Sequence, residues 1–148
     1  MRKAPRQQPG WMPILVAIWM SPGKQGRVSS EQYFAKGEPC PVLISCGHDP
    51  PLFLVSQQEI DHEVDEFAYA GGMRGRALEG IPSELHGLPI PAHAEVVLEG
   101  EMYGDEMREE GPFGEFMGYY ASNSSQLPIV KVKRVYWRTN PILTLAIP

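Results

Sequence analysis

The sequence has few cysteines, and this shortage excludes whole classes of small domain. Cys40 and Cys46 are the two cysteines among 148 residues, so neither a disulfide framework nor a four-cysteine zinc site can form. On one extended strand their spacing would separate the two side chains by about 20 Å, which is too far for a disulfide bond. We therefore predict two reduced cysteines buried in the core.

Long apolar runs are also absent. No stretch reaches the roughly 20 consecutive apolar residues that a membrane-spanning helix needs. The basic residues of 1–12 precede an apolar segment, Pro13–Met20, in the manner of a signal peptide. Ser21-Pro22-Gly23-Lys24 follows where a signal peptide would have a small-residue cleavage site. We predict a loose basic arm over 1–12, a buried strand over 13–20, and a cytoplasmic protein without a membrane partner.

Positive charge is scarce as well. Thirteen Lys and Arg against 18 Asp and Glu give a net charge of −5 at pH 7. Nucleic-acid-binding domains usually present a basic surface, so we expect no nucleic-acid partner. Apolar residues make up 43% of the chain and charged residues 21%, proportions that indicate a folded globular domain and exclude a disordered one.

Glycine and proline, by contrast, are abundant, with 15 of each. They indicate many turns between short elements. Alternating or apolar segments predict strands over 13–20, 40–46, 94–103 and 129–137. Short helices are predicted from Ser29 or Ser30 to Lys36 (with Tyr33 and Phe34 toward the core) and over 61–73, and a short helix or an irregular segment over 51–58. The order favours a mainly β domain over 13–148 with short helices, built as a closed or split antiparallel β-barrel.

The segment Glu109–Tyr120 contains the strongest chemical signal. Two glycines and a proline lie between Glu110 and Glu115, and such a segment cannot form a regular helix or a central strand. The chain must turn there, so the two carboxylates can point into one space. Mutual repulsion would raise the pKa of one of them, which suits it to general acid catalysis near neutral pH. A solvated acidic loop is the alternative interpretation.

Two other segments contain candidate binding groups. His62 and Glu66 are four residues apart, on one face of a predicted helix, and have the ligand types of a metal pair. The acidic residues of 61–65 make a solvated acidic face the alternative. The loop Ser21–Gly26 has backbone N–H groups that suit a phosphate, although it lacks the full spacing of a P-loop.

Three motifs along the chain resemble motifs of one enzyme family. Glu110-Gly-Pro-Phe-Gly-Glu115 is followed by Gly118-Tyr-Tyr120, the strand Pro91–Glu101 is similar to a PA-x-AEIVLEGE pattern, and Asp65–Gly75 is similar to SEYxFAG…RG. The interval from Glu66 to Glu110 also matches without a gap. Residues from about 19 to 147 align in order with the UbiD family of prenylated-FMN-dependent decarboxylases, in its phenolic-acid branch.

The resemblance implies a fold, a reaction and two catalytic residues. The fold would be the central domain of the family, a split antiparallel β-barrel similar to the FMN-binding barrels of flavin reductases. Members reversibly decarboxylate small aromatic or α,β-unsaturated acids, with prenylated FMN as electron sink. Glu115 matches the acid that protonates the product, and Glu110 matches the second carboxylate of a Glu–Arg–Glu network.

The resemblance also implies binding residues. Glu66 matches the ligand of a Mg²⁺ or Mn²⁺ ion that bridges to the cofactor phosphate. The backbone around Val55 and Ser56 matches a neighbouring K⁺ site of some members. The loop Ser21–Gly26 is similar to an SPGKHG loop that touches the cofactor. The cofactor-binding residues expected in this way are Lys24, Gln25, Gly26 and Ser56.

The sequence departs from the family pattern in ways that leave three functions open. Gln25 stands where relatives have a metal-ligating His, and a neutral amide is a poorer metal ligand than imidazole. No segment of residues 1–148 matches the family's N-x-G-x-YR motif, which supplies an Asn and the catalytic Arg, and its N- and C-terminal domains have no counterpart here. We expect a decarboxylase domain that works with a partner subunit, in a homo-oligomer or in a larger protein. The alternatives are a flavin- or phosphate-binding module without turnover and an inactive remnant.

Overall fold

A computed structural model of the chain describes residues 2–3, 13–58, 60–61, 63–114 and 118–144. This described part is mainly β, with three short helices. The strands are β1 (Arg2–Lys3), β2 (Leu15–Ala17), β3 (Cys40–Cys46), β4 (Gly80–Pro82), β5 (Pro89–Pro91), β6 (Val96–Glu110), β7 (Phe113–Gly114), β8 (Tyr120–Ser122) and β9 (Ser125–Trp137). The helices are α1 (Gln25–Ala35), α2 (Pro50–Gln57) and α3 (Glu66–Arg74). Within these residues no helix is both long enough and apolar enough to cross a bilayer.

The largest sheet has the strand order β1-β9-β6-β3, and β2 pairs with another part of β9. Arg2 lies opposite Trp137 and Leu15 opposite Lys131, both in antiparallel register. Strands β4 and β5 form a separate antiparallel pair, as do β7 and β8. In the described residues the order is an open path. The mainly β class with short helices is therefore confirmed, and the split barrel stays a prediction.

The described residues group into two compact units. The first unit contains β1, Leu43–Glu99 and Arg134–Leu143, and so holds α2, α3, β4 and β5. The second contains the described residues from 13 to 42 and Gly100–Lys133, and so holds α1, β2, β7 and β8. The division falls within β3, β6 and β9.

Two apolar clusters stabilise the first unit. One consists of Ile90, Ala94, Val97 and Tyr136 with Leu43 packed against them, and the other of Leu52, Val55 and Ala70 with Ile60, Phe67 and Leu78. The second cluster joins α2 to α3. Helix α3 begins where Oδ1 of Asp65 accepts a hydrogen bond from the Ala68 amide over 3.0 Å. It ends at Gly75, whose φ of 74° favours glycine.

A fully buried carboxylate fixes the turn between β4 and β5. Oε1 of Glu99 accepts hydrogen bonds from the Ser83 hydroxyl (2.5 Å) and the His86 amide (3.1 Å). Oε2 accepts from the Tyr136 phenol over 2.5 Å. The phenol oxygen in turn accepts from the Glu84 amide over 3.1 Å. The side chains of Glu99 on β6 and Tyr136 on β9 thus hold the turn. The turn and Tyr136 in return supply the hydrogen-bond donors that a buried carboxylate requires.

Helix α1 in the second unit starts earlier than predicted. Its N-cap is Lys24, in extended conformation, and the amides of Arg27 and Val28 bond to the Lys24 carbonyl. The predicted start at Ser29 or Ser30 is wrong, because the Ser30 hydroxyl bonds the Arg27 carbonyl within the helix over 2.8 Å. The predicted core position of Tyr33 is also wrong, since that side chain is 36% exposed.

The other predicted elements are present with shifted ends. Strand β3 spans 40–46 as predicted, but Cys46 at its end is exposed, so only Cys40 is a core thiol. Strand β6 begins at Val96 and continues past the predicted end at 103, and β9 begins at Ser125, before the predicted 129. Strand β2 is shorter than 13–20, and its predicted burial is wrong, since Leu15 is 40% exposed. The charged residues after 104 continue β6 because they lie on exposed or half-exposed faces of the strand. Of the loose arm expected over 1–12, Arg2 and Lys3 are described and form β1, which pairs with β9, whereas residues 1 and 4–12 lie outside the described residues.

Candidate functional site

The predicted site residues fall in both units. Ser56 and Glu66 belong to the first unit, and Lys24, Gln25, Gly26 and Glu110 belong to the second. Glu115 and His62 lie outside the described residues. The metal pair His62–Glu66 and the convergence of Glu110 with Glu115 therefore stay predictions.

In the first unit, Ser56 and Glu66 lie on two helices that pack together. Ser56 is near the end of α2, where its hydroxyl donates to the Phe53 carbonyl over 2.8 Å. Val55, beside it, is fully buried in the contact with α3. Glu66 is the first residue of α3 and is half-buried. An acidic side chain at this position is favoured by the helix dipole.

The described residues offer few ligands to a metal ion. Among them, no group of three or more His, Cys, Asp and Glu side chains is arranged to hold one. A single carboxylate such as that of Glu66 fits Mg²⁺ or Mn²⁺ where phosphate oxygens and water supply the remaining ligands. The described part of the chain thus suits a metal shared with a phosphate better than an ion held by its own side chains alone.

In the second unit, the loop before α1 presents the predicted cofactor residues. The Lys24 amide bonds the Ser21 carbonyl over 3.2 Å, and Gly23 between them has a φ of 83°, so glycine suits this turn. Gln25 and Gly26 then form the first turn of α1. The first N–H groups of a helix have no partner within it and suit an anionic oxygen. The loop is therefore able to contact a phosphate through its backbone.

Glu110 is the last residue of β6, and the chain turns immediately after it. Gly111 has a φ of 104°, and its peptide bond to Pro112 is cis. A Cβ at Gly111 would lie 3.1 Å from Cα of Ser124, so the turn packs closely on the residue just before β9. The predicted turn after Glu110 is therefore confirmed. Glu110 itself is half-buried.

A cavity of about 410 Å³ in the second unit was not predicted. Its wall is largely apolar, with Arg27 and Glu31 of α1 forming an ion pair of 2.9 Å among the lining residues. The other lining side chains include Trp19, Met20, Phe34, Met107, Leu127 and Pro128. The volume is within the range of small-molecule sites, and the lining suits an aromatic ring. The only sequence signal was the pair of large apolar residues that ends the segment 13–20.

A polar network links β6 to β9 in the second unit. Nζ of Lys131 lies 4.6 Å from the ring centre of Tyr103 and forms an ion pair with Glu106. The Tyr103 hydroxyl donates to Oε2 of Glu101 over 2.7 Å. This hydrogen bond, with partial burial, raises the pKa of Tyr103. The network stabilises the strand pair that leads to Glu110.

Comparison with known sequences identifies relatives that are much longer than this chain. A phenolic acid decarboxylase from Bacillus subtilis (strain 168) is 41% identical over 107 residues, which is 72% of this chain and 22% of the relative. A phenolic acid decarboxylase from Streptomyces sp. (strain D7) is 36% identical over 107 residues, with the same coverage. The chain therefore spans about a fifth of the length of these two relatives.

Comparisons with solved structures and with family sequence models give the same result as the comparison with known sequences. An evolved dimeric form of the UbiD-class enzyme HmfF from Pelotomaculum thermopropionicum, in complex with prFMN, has a TM-score of 0.80 at 29% identity, covering 87% of this chain and 30% of that one. Vanillic acid decarboxylase from Sedimentibacter hydroxybenzoicus in its closed form has a TM-score of 0.80 at 32% identity, covering 90% and 29%. The sequence model of the 3-octaprenyl-4-hydroxybenzoate carboxy-lyase Rift-related domain matches residues 13–148, and the chain belongs to this UbiD family.

Proposed function

We propose that this chain forms the flavin-binding part of a decarboxylase that removes CO₂ reversibly from an aromatic or α,β-unsaturated acid by means of prenylated FMN. The observation with most weight is the family match over 13–148, together with the likeness to a relative in complex with prFMN. The names of the phenolic acid and vanillic acid decarboxylases favour an aromatic acid as substrate. We propose a split barrel similar to those of flavin reductases and a cytoplasmic location.

The proposed roles follow the family motifs. When bound, prenylated FMN would supply an electron sink for the carbanion left by CO₂ loss. Glu66 would hold Mn²⁺ or Mg²⁺ at the cofactor phosphate, beside a K⁺ ion at the backbone of Ser56. The loop Lys24–Gly26 would bind the phosphate side of the cofactor. Glu115 would donate the proton that replaces CO₂, and Glu110 would hold the Glu–Arg network in place.

The proposed activity also needs the Asn and the Arg of the family's N-x-G-x-YR motif, and no segment of residues 1–148 matches that motif. The chain spans 22% of the two phenolic acid decarboxylases, so we assign the reaction to an assembly in which another segment, a partner subunit or a second copy supplies the Asn and the Arg. The vanillic acid decarboxylase among the similar structures is a complex of more than one chain, which supports an assembly. Gln25, in place of a histidine ligand, favours a second candidate function, flavin or phosphate-ligand binding without turnover.

Cofactor loading tests the proposal directly. The chain is co-produced with a flavin prenyltransferase, purified anaerobically with Mn²⁺, and analysed by absorbance and by the mass of the released cofactor. We expect nearly one prenylated flavin per chain, and loss of most of it in Glu66→Gln. Glu63→Gln, an exposed neighbour, is the matched control and should load like the wild type.

Each result distinguishes one candidate. Loading followed by decarboxylation of an aryl acid, once an Asn- and Arg-bearing partner is added, supports the decarboxylase. Loading without turnover under any partner supports the binding module. A colourless chain without flavin rejects both and leaves an inactive remnant.

A further inference from the structure

Helices α2 and α3 are joined at one end by a charged pair. Nη1 of Arg74 lies 2.9 Å from Oδ2 of Asp49, and the two side chains are only 20% and 16% exposed. Asp49 is the N-cap of α2 and Arg74 is the last residue of α3. Each charge also has the sign that the adjacent helix end favours, so the pair is stabilised by both helix dipoles.

This contact determines how the two helices run. The end of α3 lies beside the start of α2, and Leu52 and Val55 pack against Ala70 between them. The helices therefore run in opposite directions. Ser56 near the end of α2 and Glu66 at the start of α3 therefore lie beyond this apolar contact, at the end of the helix pair that is away from the ion pair.

Helix α3 has a second attachment that does not involve the ion pair. Gly71 packs so closely on the following segment that a Cβ there would lie 3.2 Å from the Arg76 carbonyl oxygen and 3.4 Å from Cα of Ala77. Ala70 beside it is fully buried. Without the ion pair, α3 could pivot about this packed middle, and a pivot would shift Glu66 at its start relative to α2.

We infer that the Asp49–Arg74 pair is a clamp that sets where Glu66 stands relative to Ser56. Both clamp residues are positioning residues, since they act through the two helices and lie at the opposite end from the site residues. This inference rests on the proposed function for the role of Glu66 as a metal ligand. A half-buried pair is suited to the task, because loss of one partner leaves the other charge poorly solvated.

Amide hydrogen exchange on the full chain tests the clamp without any ligand. Arg74→Met keeps the apolar stem and removes the charge, and we expect exchange at the end of α2 and the start of α3 to become about tenfold faster. Arg74→Lys should restore most of the protection. Glu31→Gln, which breaks the exposed pair in α1, is the control and should change neither helix. Unchanged exchange in Arg74→Met, or an equal increase over the β4–β5 turn, overturns the clamp.

The effect of the clamp on the metal site is tested by Mn²⁺ binding in the presence of FMN, measured by electron paramagnetic resonance. We expect Arg74→Met to raise the Kd for Mn²⁺ about tenfold and Arg74→Lys to restore it. An unchanged Kd in Arg74→Met, where Glu66→Gln abolishes binding, overturns the clamp. If Glu66→Gln binds as the wild type does, the metal role of Glu66 in the proposed function fails, while the exchange result still decides the clamp.

Discussion

The phenol of Tyr136 donates a 2.5 Å hydrogen bond to the carboxylate of Glu99, which is completely buried. The two residues lie on β9 and β6 and together hold the turn between β4 and β5 through Ser83 and Glu84. A buried carboxylate is tolerated only when its oxygens have donors, and here three donors satisfy it. The turn and the sheet therefore depend on each other.

Tyr136→Phe should destabilise the chain. The substitution removes one donor from the buried Glu99 and one acceptor from the Glu84 amide, so the free energy of unfolding should fall by about 1–3 kcal/mol. Urea denaturation measures the change. Tyr119→Phe, at a side chain that is 76% exposed, is the matched control and should change it by less than about 0.5 kcal/mol. Equal effects of the two substitutions would contradict the network.

Two tyrosines should ionise at unusually high pH and make the free energy of unfolding depend on pH in the alkaline range. Burial and the hydrogen bond to Glu99 raise the pKa of Tyr136, and the hydrogen bond to Glu101 with partial burial raises the pKa of Tyr103. A raised pKa means that the folded state favours the neutral phenol. The stabilisation is therefore complete below the ordinary value of about 10 and is lost as pH rises through the folded-state values.

Phenolate absorbance during an alkaline titration measures the ionisation of the two phenols, and urea denaturation at each pH measures the free energy of unfolding. Tyr136→Phe and Tyr103→Phe should each remove a component that ionises at high pH, and Tyr136→Phe should flatten the loss of unfolding free energy above a pH of about 10. An unchanged slope of stability against pH in Tyr136→Phe would show that this phenol is not linked to folding.

The elements of the fold could largely be predicted from periodicity, but their ends could not. The apolar run 40–46 predicted both ends of β3 correctly, and the alternation over 129–137 predicted most of β9. The predicted strand 94–103 ends at Tyr103, yet β6 continues to Glu110, because exposed strand faces accept charge. Helix α1 starts at Gln25 because the turn after Ser21 positions it, and this turn outweighs the capping preference of Ser29 and Ser30.

The candidate site residues could be found by motif, whereas the contacts that position them could not. Asp49 and Arg74 lie on separate elements, and no local pattern pairs them. Glu99 did leave a signal, since strand alternation places it on the same face as the buried Val97. A carboxylate on an inward face is a candidate for a hydrogen-bonded anchor, and Tyr136 is its partner.

Two glycines should respond to alanine in opposite directions. A Cβ at Gly100 would lie 2.8 Å from Cγ1 of Val130 and closer still to the Lys131 carbonyl, where backbone cannot yield. Gly100→Ala should therefore lower the free energy of unfolding by about 2 kcal/mol. Gly72→Ala, within α3 and with no atom within 4 Å, should raise it by about 1 kcal/mol. Urea denaturation of both variants checks the difference in sign.

The two cysteines should differ in reactivity. Cys40 is buried, and burial raises the pKa of its thiol, whereas Cys46 is exposed. Because the thiolate is the reactive form, Cys46 should react quickly with Ellman's reagent in the native chain and Cys40 only after unfolding. Cys46→Ser should abolish the fast phase. A fast phase that persists in this variant would place the thiol of Cys40 in contact with solvent.

Gln25→His should strengthen metal binding if the loop before α1 faces the metal. Imidazole is a better ligand than a neutral amide, so the Kd for Mn²⁺ in the presence of FMN should fall about tenfold. The variant should also acquire a steeper pH dependence than the wild type, in which protonation of the FMN phosphate (second pKa of about 6) already weakens metal binding as pH falls. Only the neutral imidazole binds metal, so the gain should disappear as pH falls below the ordinary histidine pKa of about 6.5.

Gln32→His, at an exposed position of the same helix, separates this effect from non-specific binding by a new histidine. It should bind Mn²⁺ as the wild type does at every pH. Equal Kd values in Gln25→His and Gln32→His would mean that residue 25 does not reach the ion, and the metal would then depend on Glu66 and the phosphate alone. A gain confined to Gln25→His would show that the amide at this position holds the ion less well than a histidine does, and would favour the binding-module function over turnover.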